Sequence, residues 1–189
     1  MFATTSDNLR IYTIEDNKIE IKSNLQNNLQ KELSAPLTSF DWNPIYNNLI
    51  CCSSIDTTCT LWDIVEEKLT KQVITHDKEV FDINFSPEGN IFSTVGADCT
   101  ARLFDLRDLS RSDIIYENNE PLLRISFNHG RPNLMALTSL FNPTITLIDS
   151  RKPFTPLMKL IYHKKPISNL VWSPSSLYFK QIYPVLNFR

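Results

Sequence analysis

The residues of this chain with chemical potential are histidine–carboxylate pairs and aspartate–arginine corners. Asp56 stands six residues before Trp62, Asp98 six before Phe104, and Asn142 six before Ile148. His76 and His163 each precede an alternating apolar segment. A short carboxylate in a tight turn accepts backbone N–H groups and can orient a histidine brought in by a preceding connection. On this spacing Asp98, His76 and Thr94 are expected to form a buried hydrogen-bonded chain, which stabilises only if every member is satisfied. A catalytic use of the same pair would need an activated nucleophile at a fixed offset, and none is present. The pattern also recurs along the chain, as a structural element of a repeat does. The second arrangement is Asp-x-Arg: Asp105-Leu106-Arg107 and, further on, Asp149-Ser150-Arg151, with Asp63-Ile64-Val65 lacking the arginine. Each arginine either pairs with its own aspartate and packs its stem locally, or projects as a fork toward a partner, a role for which arginine is favoured.

Other chemistries find no residues. Three glycines, Gly89, Gly96 and Gly130, cannot build a phosphate-cradling loop. Neither G-x-S-x-G nor H-E-x-x-H occurs. The four cysteines, Cys51, Cys52, Cys59 and Cys99, form no C-x-x-C pair, so reduced thiols packed as small apolar groups are expected, with Cys51 and Cys52 pointing to opposite faces of a strand. No metal, cofactor, catalytic residue or small-molecule substrate is expected.

The elements that must position these residues repeat. LTSFDWNP (37–44), VFDINFSP (80–87), LLRISFN (122–128) and ISNLVWSP (167–174) share one alternating pattern, with anchors Trp42, Phe85, Phe127 and Trp172 at spacings of 43, 42 and 45. TCTLWD (58–63), TARLFD (100–105) and TITLID (144–149) recur in the same phase. A third segment lies between them each time (NLICCSS, NIFSTVG, NLMALTS), and a fourth, weaker one follows (KLTKQVIT, SDIIYE, LMKLIY). Period-two alternation predicts strands. Four short strands per unit of about 40–45 residues are the signature of a WD-repeat β-propeller blade. The fold class is therefore all-β: a partial WD-repeat propeller over residues 1–174, with three full blades and two partial ones, and a divergent tail over 175–189. Residues 2–22 read as the last three strands of an earlier blade, with Tyr12 in the Trp62 position, and 23–34 as a polar connection. An arc of this kind leaves edges open, so a truncated product, a partial reading frame or completion by a partner is expected.

Composition agrees with a packed core: 42% hydrophobic residues, 11% aromatic and a formal net charge of −2. No basic stripe interleaves with aromatics, so direct nucleic-acid binding is not expected. No secretory n-region or apolar run of membrane-spanning length is present, and a cytoplasmic and nuclear location is the default expectation.

The segments SAPLTSFDWN, SSIDTTCTLWDI, THDKEVFDINFS, VGADCTARLFDLR and PLLRISFN closely resemble the TRANSPARENT TESTA GLABRA-like family, whose animal members are called cullin-ligase-associated factor seven. The resemblance runs from about Phe2 to Ser176. It implies a seven-bladed propeller of roughly twice this length, acting as a non-catalytic adaptor. Plant members hold transcription-factor complexes together, and animal members scaffold kinases. The Asp-x-Arg corners are similar to the box by which WD-repeat substrate receptors dock on the adaptor subunit of cullin-RING ubiquitin ligases. By that similarity Asp105, Arg107, Asp149 and Arg151 are docking residues, although Phe104 and Ile148 replace the usual tryptophan. Relative to the family, the first blade, part of the second and about three C-terminal blades are missing.

Overall fold

A computed structural model describes residues 1–15, 18–25, 35–173 and 183–184. Among them there is no helix. The strands are β1 (Phe2–Thr5), β2 (Leu9–Glu15), β3 (Lys18–Leu25), β4 (Leu37–Trp42), β5 (Leu49–Ser54), β6 (Thr58–Asp63), β7 (Lys68–Ile74), β8 (Val80–Phe85), β9 (Ile91–Gly96), β10 (Thr100–Asp105), β11 (Asp108–Glu117), β12 (Leu122–Asn128), β13 (Arg131–Ser139), β14 (Ile145–Asp149), β15 (Pro156–Leu160), β16 (Leu170–Val171) and β17 (Tyr183–Pro184). They form antiparallel meanders: three four-stranded sheets (β4–β7, β8–β11, β12–β15), a three-stranded sheet β1–β3 and the pair β16–β17. These are the blades of a partial propeller, all-β throughout the described residues; β4–β7, β8–β11 and β12–β15 are blades one, two and three, and β1–β3 is the partial blade before them.

Alternation along each strand sends successive side chains to opposite faces, and every apolar layer lies between two neighbouring blades. Leu9, Ile11 and Leu25 of the first sheet pack on Ile50, Cys52, Trp62 and Ile64 of the second. The other face of that second sheet, Cys51, Cys59 and Leu61, packs on Ile83, Phe85, Phe92 and Phe104 of the third. Adjacent Cys51 and Cys52 thus serve two different cores, and both are buried free thiols. The apolar residue in the Trp62 position always faces the preceding blade: Phe104, stacked on Phe92 of its own sheet at 5.0 Å and 9°, joins Cys51, Cys59 and Leu61, and Ile148 joins Val95 and Tyr116.

Strand limits depart from the sequence expectation in several places: β13 starts two residues early, at Arg131, β16 keeps only Leu170–Val171 of ISNLVWSP, and β3, β11 and β15 shift for reasons the contacts show. β3 runs on to Leu25 because Ser23 and Leu25 are buried against the next sheet. The rest of the expected connection, 26–34, lies outside the described residues. β11 starts at Asp108, four residues before the SDIIYE segment, because Asp105 and Asp108 pair directly across the two-residue turn Leu106–Arg107. β15 stops at Leu160, short of the expected Tyr162, because its partner β14 begins only at Ile145, after Pro143. Of the expected tail, only Tyr183–Pro184 is described, paired with β16.

Candidate functional site

Blade two carries the densest polar cluster. The β9–β10 turn places Asp98 beside the chain entering from β7, so that both carboxylate oxygens lie 2.9 Å from His76 Nδ1. A carboxylate only accepts, so Nδ1–H donates, and in the neutral ring Nε2 accepts from the Thr94 hydroxyl at 2.8 Å. His76 is 1% exposed and Thr94 fully buried. Asp98 also accepts from the Thr100 hydroxyl (2.8 Å) and amide (3.1 Å), the Asp77 amide (3.2 Å) and Arg102 Nη2 (3.0 Å). Burial alone would raise its pKa, but the His76 hydrogen bond and charge, Thr100 and the Asp77 amide together hold it well below the usual carboxylate range. Gly96 makes room for the ring: a Cβ there would sit 2.6 Å from Glu79 O and 3.2 Å from the imidazole. The corresponding Ser139 of blade three faces Asn118, a smaller group, and bonds to it at 2.9 Å.

The other blades vary this theme. Asp56 accepts from the Thr58 amide and hydroxyl (3.1 and 2.7 Å). Trp62, 5% exposed, donates to Thr60 at 3.2 Å. Asn142 accepts from the Thr144 amide at 3.0 Å. His163 is half-buried before β16, and no Asp or Glu follows it in the sequence to take the part that Asp98 plays for His76. The hydroxyls against the His76–Asp98 pair are those of Thr94 and Thr100, both buried hydrogen-bonding members of the network.

The Asp-x-Arg corners share one geometry. Arg107 donates from Nε (2.9 Å) and Nη2 (2.5 Å) to Asp105, and its amide also caps that carboxylate at 2.9 Å. Arg151 repeats this on Asp149, with Nε at 2.9 Å, Nη2 at 2.6 Å and its amide at 3.0 Å. These bonds, side-chain first, hold Asp105 and Asp149 at about 2 and raise both arginines. The guanidinium groups stay in solvent, 82% and 70% exposed. In blade one, Asn48 Nδ2 and the Val65 and Glu66 amides occupy Asp63 instead.

A third arrangement was missed in the sequence. The first strands of successive blades are stitched by side chains one repeat apart. Asp41 accepts from Asn84 Nδ2 (2.8 Å) and the Phe85 amide (2.7 Å), and Asn84 Oδ1 then accepts from the Phe127 amide (2.8 Å). Ser39 donates to Asp82 at 2.6 Å, the Ile125 amide reaches the same carboxylate at 3.1 Å, and Arg124 bonds on to Ser168 O at 3.2 Å. Desolvation raises Asp41 to about 6 against its backbone hydrogen bonds to Phe85 and Trp42, and raises Asp82 as well. The available signal was polar residues recurring at one place in otherwise apolar strands: Ser39, Asp82 and Arg124 in one row, Asp41 and Asn84 in another.

Four-stranded meanders with this turn network define a WD-repeat protein. The WD domain, G-beta repeat family matches residues 26–63 and 67–105. Among particular proteins, the chain is similar to the "DDB1- and CUL4-associated factor 7 homolog" of Dictyostelium discoideum, at 43% identity over 179 residues, covering 93% of this chain and 55% of that protein. WD repeat-containing proteins of Schizosaccharomyces pombe (36% identity; 93% of this chain, 46% of that one) and Saccharomyces cerevisiae (32%; 92% and 40%) are similar too. The chain spans about half the length of these relatives.

Proposed function

We propose that the chain is a non-catalytic protein-interaction scaffold of the TRANSPARENT TESTA GLABRA-like type, working in the cytoplasm and nucleus. Rigid blades present separate surfaces to several partners and raise their effective concentration for one another. By family resemblance these partners are kinases or transcription factors. The observation that carries the reading is the pair of Asp-x-Arg corners on successive blades. Each guanidinium is pre-ordered by its own aspartate yet open to solvent, so little side-chain entropy is lost on docking. An accessible, oriented arginine fork suits carboxylate or carbonyl recognition by a protein partner.

The name of the Dictyostelium relative associates it with DDB1 and CUL4, which favours a second reading: a substrate receptor that docks on a cullin-RING ligase adaptor through these same corners. Binding of the full chain to purified DDB1, measured by interferometry, separates the two. The double variant Arg107→Glu, Arg151→Glu is expected to bind at least about tenfold more weakly while keeping its circular dichroism, as for loss of about 1.4 kcal/mol or more of interface energy. Unchanged affinity overturns the docking role of the corners. A wild-type chain that ignores DDB1 but captures a kinase or transcription factor leaves the scaffold reading alone.

A further inference from the structure

The outer strands of the blades differ in how their free edges are protected. An unpaired strand edge is a template for another strand, and charged side chains along it are the usual deterrent. β3 carries Lys18, Glu20 and Lys22; β7 carries Lys68 and Lys71; β11 carries Asp108, Arg111, Asp113 and Glu117. β15 carries Lys159 alone. A bulge interrupts the pairing of all four of these strands, so it does not distinguish them. Among the described residues β15 has one strand neighbour, β14.

Exposed apolar groups gather at this edge. Leu157 and Met158 are each 50% exposed, and Phe154, Ile161 and Tyr162 are more exposed still, Tyr162 at 87%. They flank the edge on both sides. Met158 pairs with Leu147, on the face turned toward β16, whereas its strand neighbour Leu157, equally exposed, points to the opposite face. A flat apolar surface would meet one of these sides; a strand laid along the edge meets both. The charge here is also one-sided. All 21 acidic residues of the chain lie at or before Asp149, whose carboxylate is taken by Arg151, and Lys152, Lys159, Lys164 and Lys165 follow with no carboxylate among them.

We propose that the outer edge of β15 is a docking edge for an extended partner segment alternating apolar and acidic residues, which adds to blade three as a fifth strand. Main-chain bonds would supply the affinity, the exposed apolar side chains the register, and the lysines the preference for acid. The residues of this edge are other than those of the Asp105–Arg107 and Asp149–Arg151 corners, and its test does not depend on DDB1.

The probe is a short fluorescent peptide of alternating valine and glutamate, titrated against the full chain and followed by anisotropy. It should bind at least about fivefold more tightly than the valine–lysine peptide. The same peptide with alternate amides N-methylated should not bind, because it cannot extend the sheet. Met158→Glu should weaken binding by about fivefold or more, and Lys159→Glu should turn the preference toward the lysine peptide. Both sites are exposed, so the variants should fold. No binding up to about 1 mM, equal binding of both peptides, or binding of the N-methylated form would overturn the proposal. So would capture by phosphatidylserine vesicles without peptide binding, which would make the edge a membrane contact. A concentration-dependent dimer abolished by Met158→Glu, without peptide binding, would make it a self-contact and overturn the proposal equally.

Discussion

Asp98 and Asp41 are both carboxylates folded away from water, and the chain treats them oppositely. Asp98 sits within one blade among a histidine ring, a guanidinium, a hydroxyl and two amides, and its acidity is strengthened. Asp41 sits between two blades, where its partners are a side-chain amide and backbone N–H groups, and its pKa rises to about 6. Asp98 also accepts from more donors than Asp41 does. At Asp98 the His76 ring, the Thr100 hydroxyl and the Asp77 amide outweigh desolvation, while at Asp41 the hydrogen bonds offset it only partly and the nearby Asp82 carboxylate adds to it. The turn network of a blade is therefore electrostatically complete by itself. The joint between blades carries a charge that folding penalises at neutral pH.

The largest effect expected at neutral pH from breaking this contrast is at Asp98. Asp98→Ala strands His76 and the turn amides without an acceptor and should cost about 1–3 kcal/mol at pH 7, read as a lowered urea midpoint. Asp98 is more acidic folded than unfolded, so its stabilisation is present above the ordinary aspartate pKa and fades as the pH falls below about 4. The deficit of the variant should shrink there. An unchanged midpoint at pH 7 would mean that the network contributes nothing to stability.

Asp41→Asn sharpens the other side. The raised folded pKa means that the native state holds a proton the unfolded chain has already released between about pH 4 and 6. The contribution of Asp41 is thus complete below about pH 4 and is lost as the pH rises through 6, by on the order of 2–3 kcal/mol. The stability of wild type minus that of Asp41→Asn should fall across this window and level off above pH 7. A difference that is flat with pH would show that Asp41 titrates normally.

The smallest effect is expected at Thr57, which holds φ = 73° in the β5–β6 turn, as Cys99 holds φ = 67° in the matching turn of blade two. A β-branched residue is strained in the left-handed region. Thr57→Gly should leave the carbonyl that accepts from the Thr75 amide at 2.9 Å and raise stability by about 0.5–1 kcal/mol. A lowered thermal midpoint would assign the Thr57 side chain a role that its turn geometry does not suggest.

Much of the architecture was legible because it depends on local alternation repeated at a fixed period. The opposite faces of Cys51 and Cys52, the sheet order and the anchors Trp62, Phe104 and Ile148 follow from period two and from the repeat length alone. The limits of β11 and β15 were not legible, because a strand lasts as long as its neighbour does, and that is decided by pairing across a turn. The ladder Ser39–Asp82 and Asp41–Asn84 was on view as residue types, but an aspartate in an apolar strand does not announce which blade supplies its donors.

The sequence by itself thus determined the blade: four strands, the turn with Asp98 or Asp56 at its head, and the corner in which Arg107 or Arg151 follows its aspartate by two residues. All of these contacts close within one repeat, so composition and spacing suffice to specify them. The tertiary structure alone decided what happens between repeats: which face of each sheet is covered, which carboxylates are pushed toward neutrality, and that β15 keeps an apolar, basic edge where β7 and β11 are guarded by charge. Those outcomes depend on desolvation and on neighbours about one repeat away, and neither is encoded in any single segment.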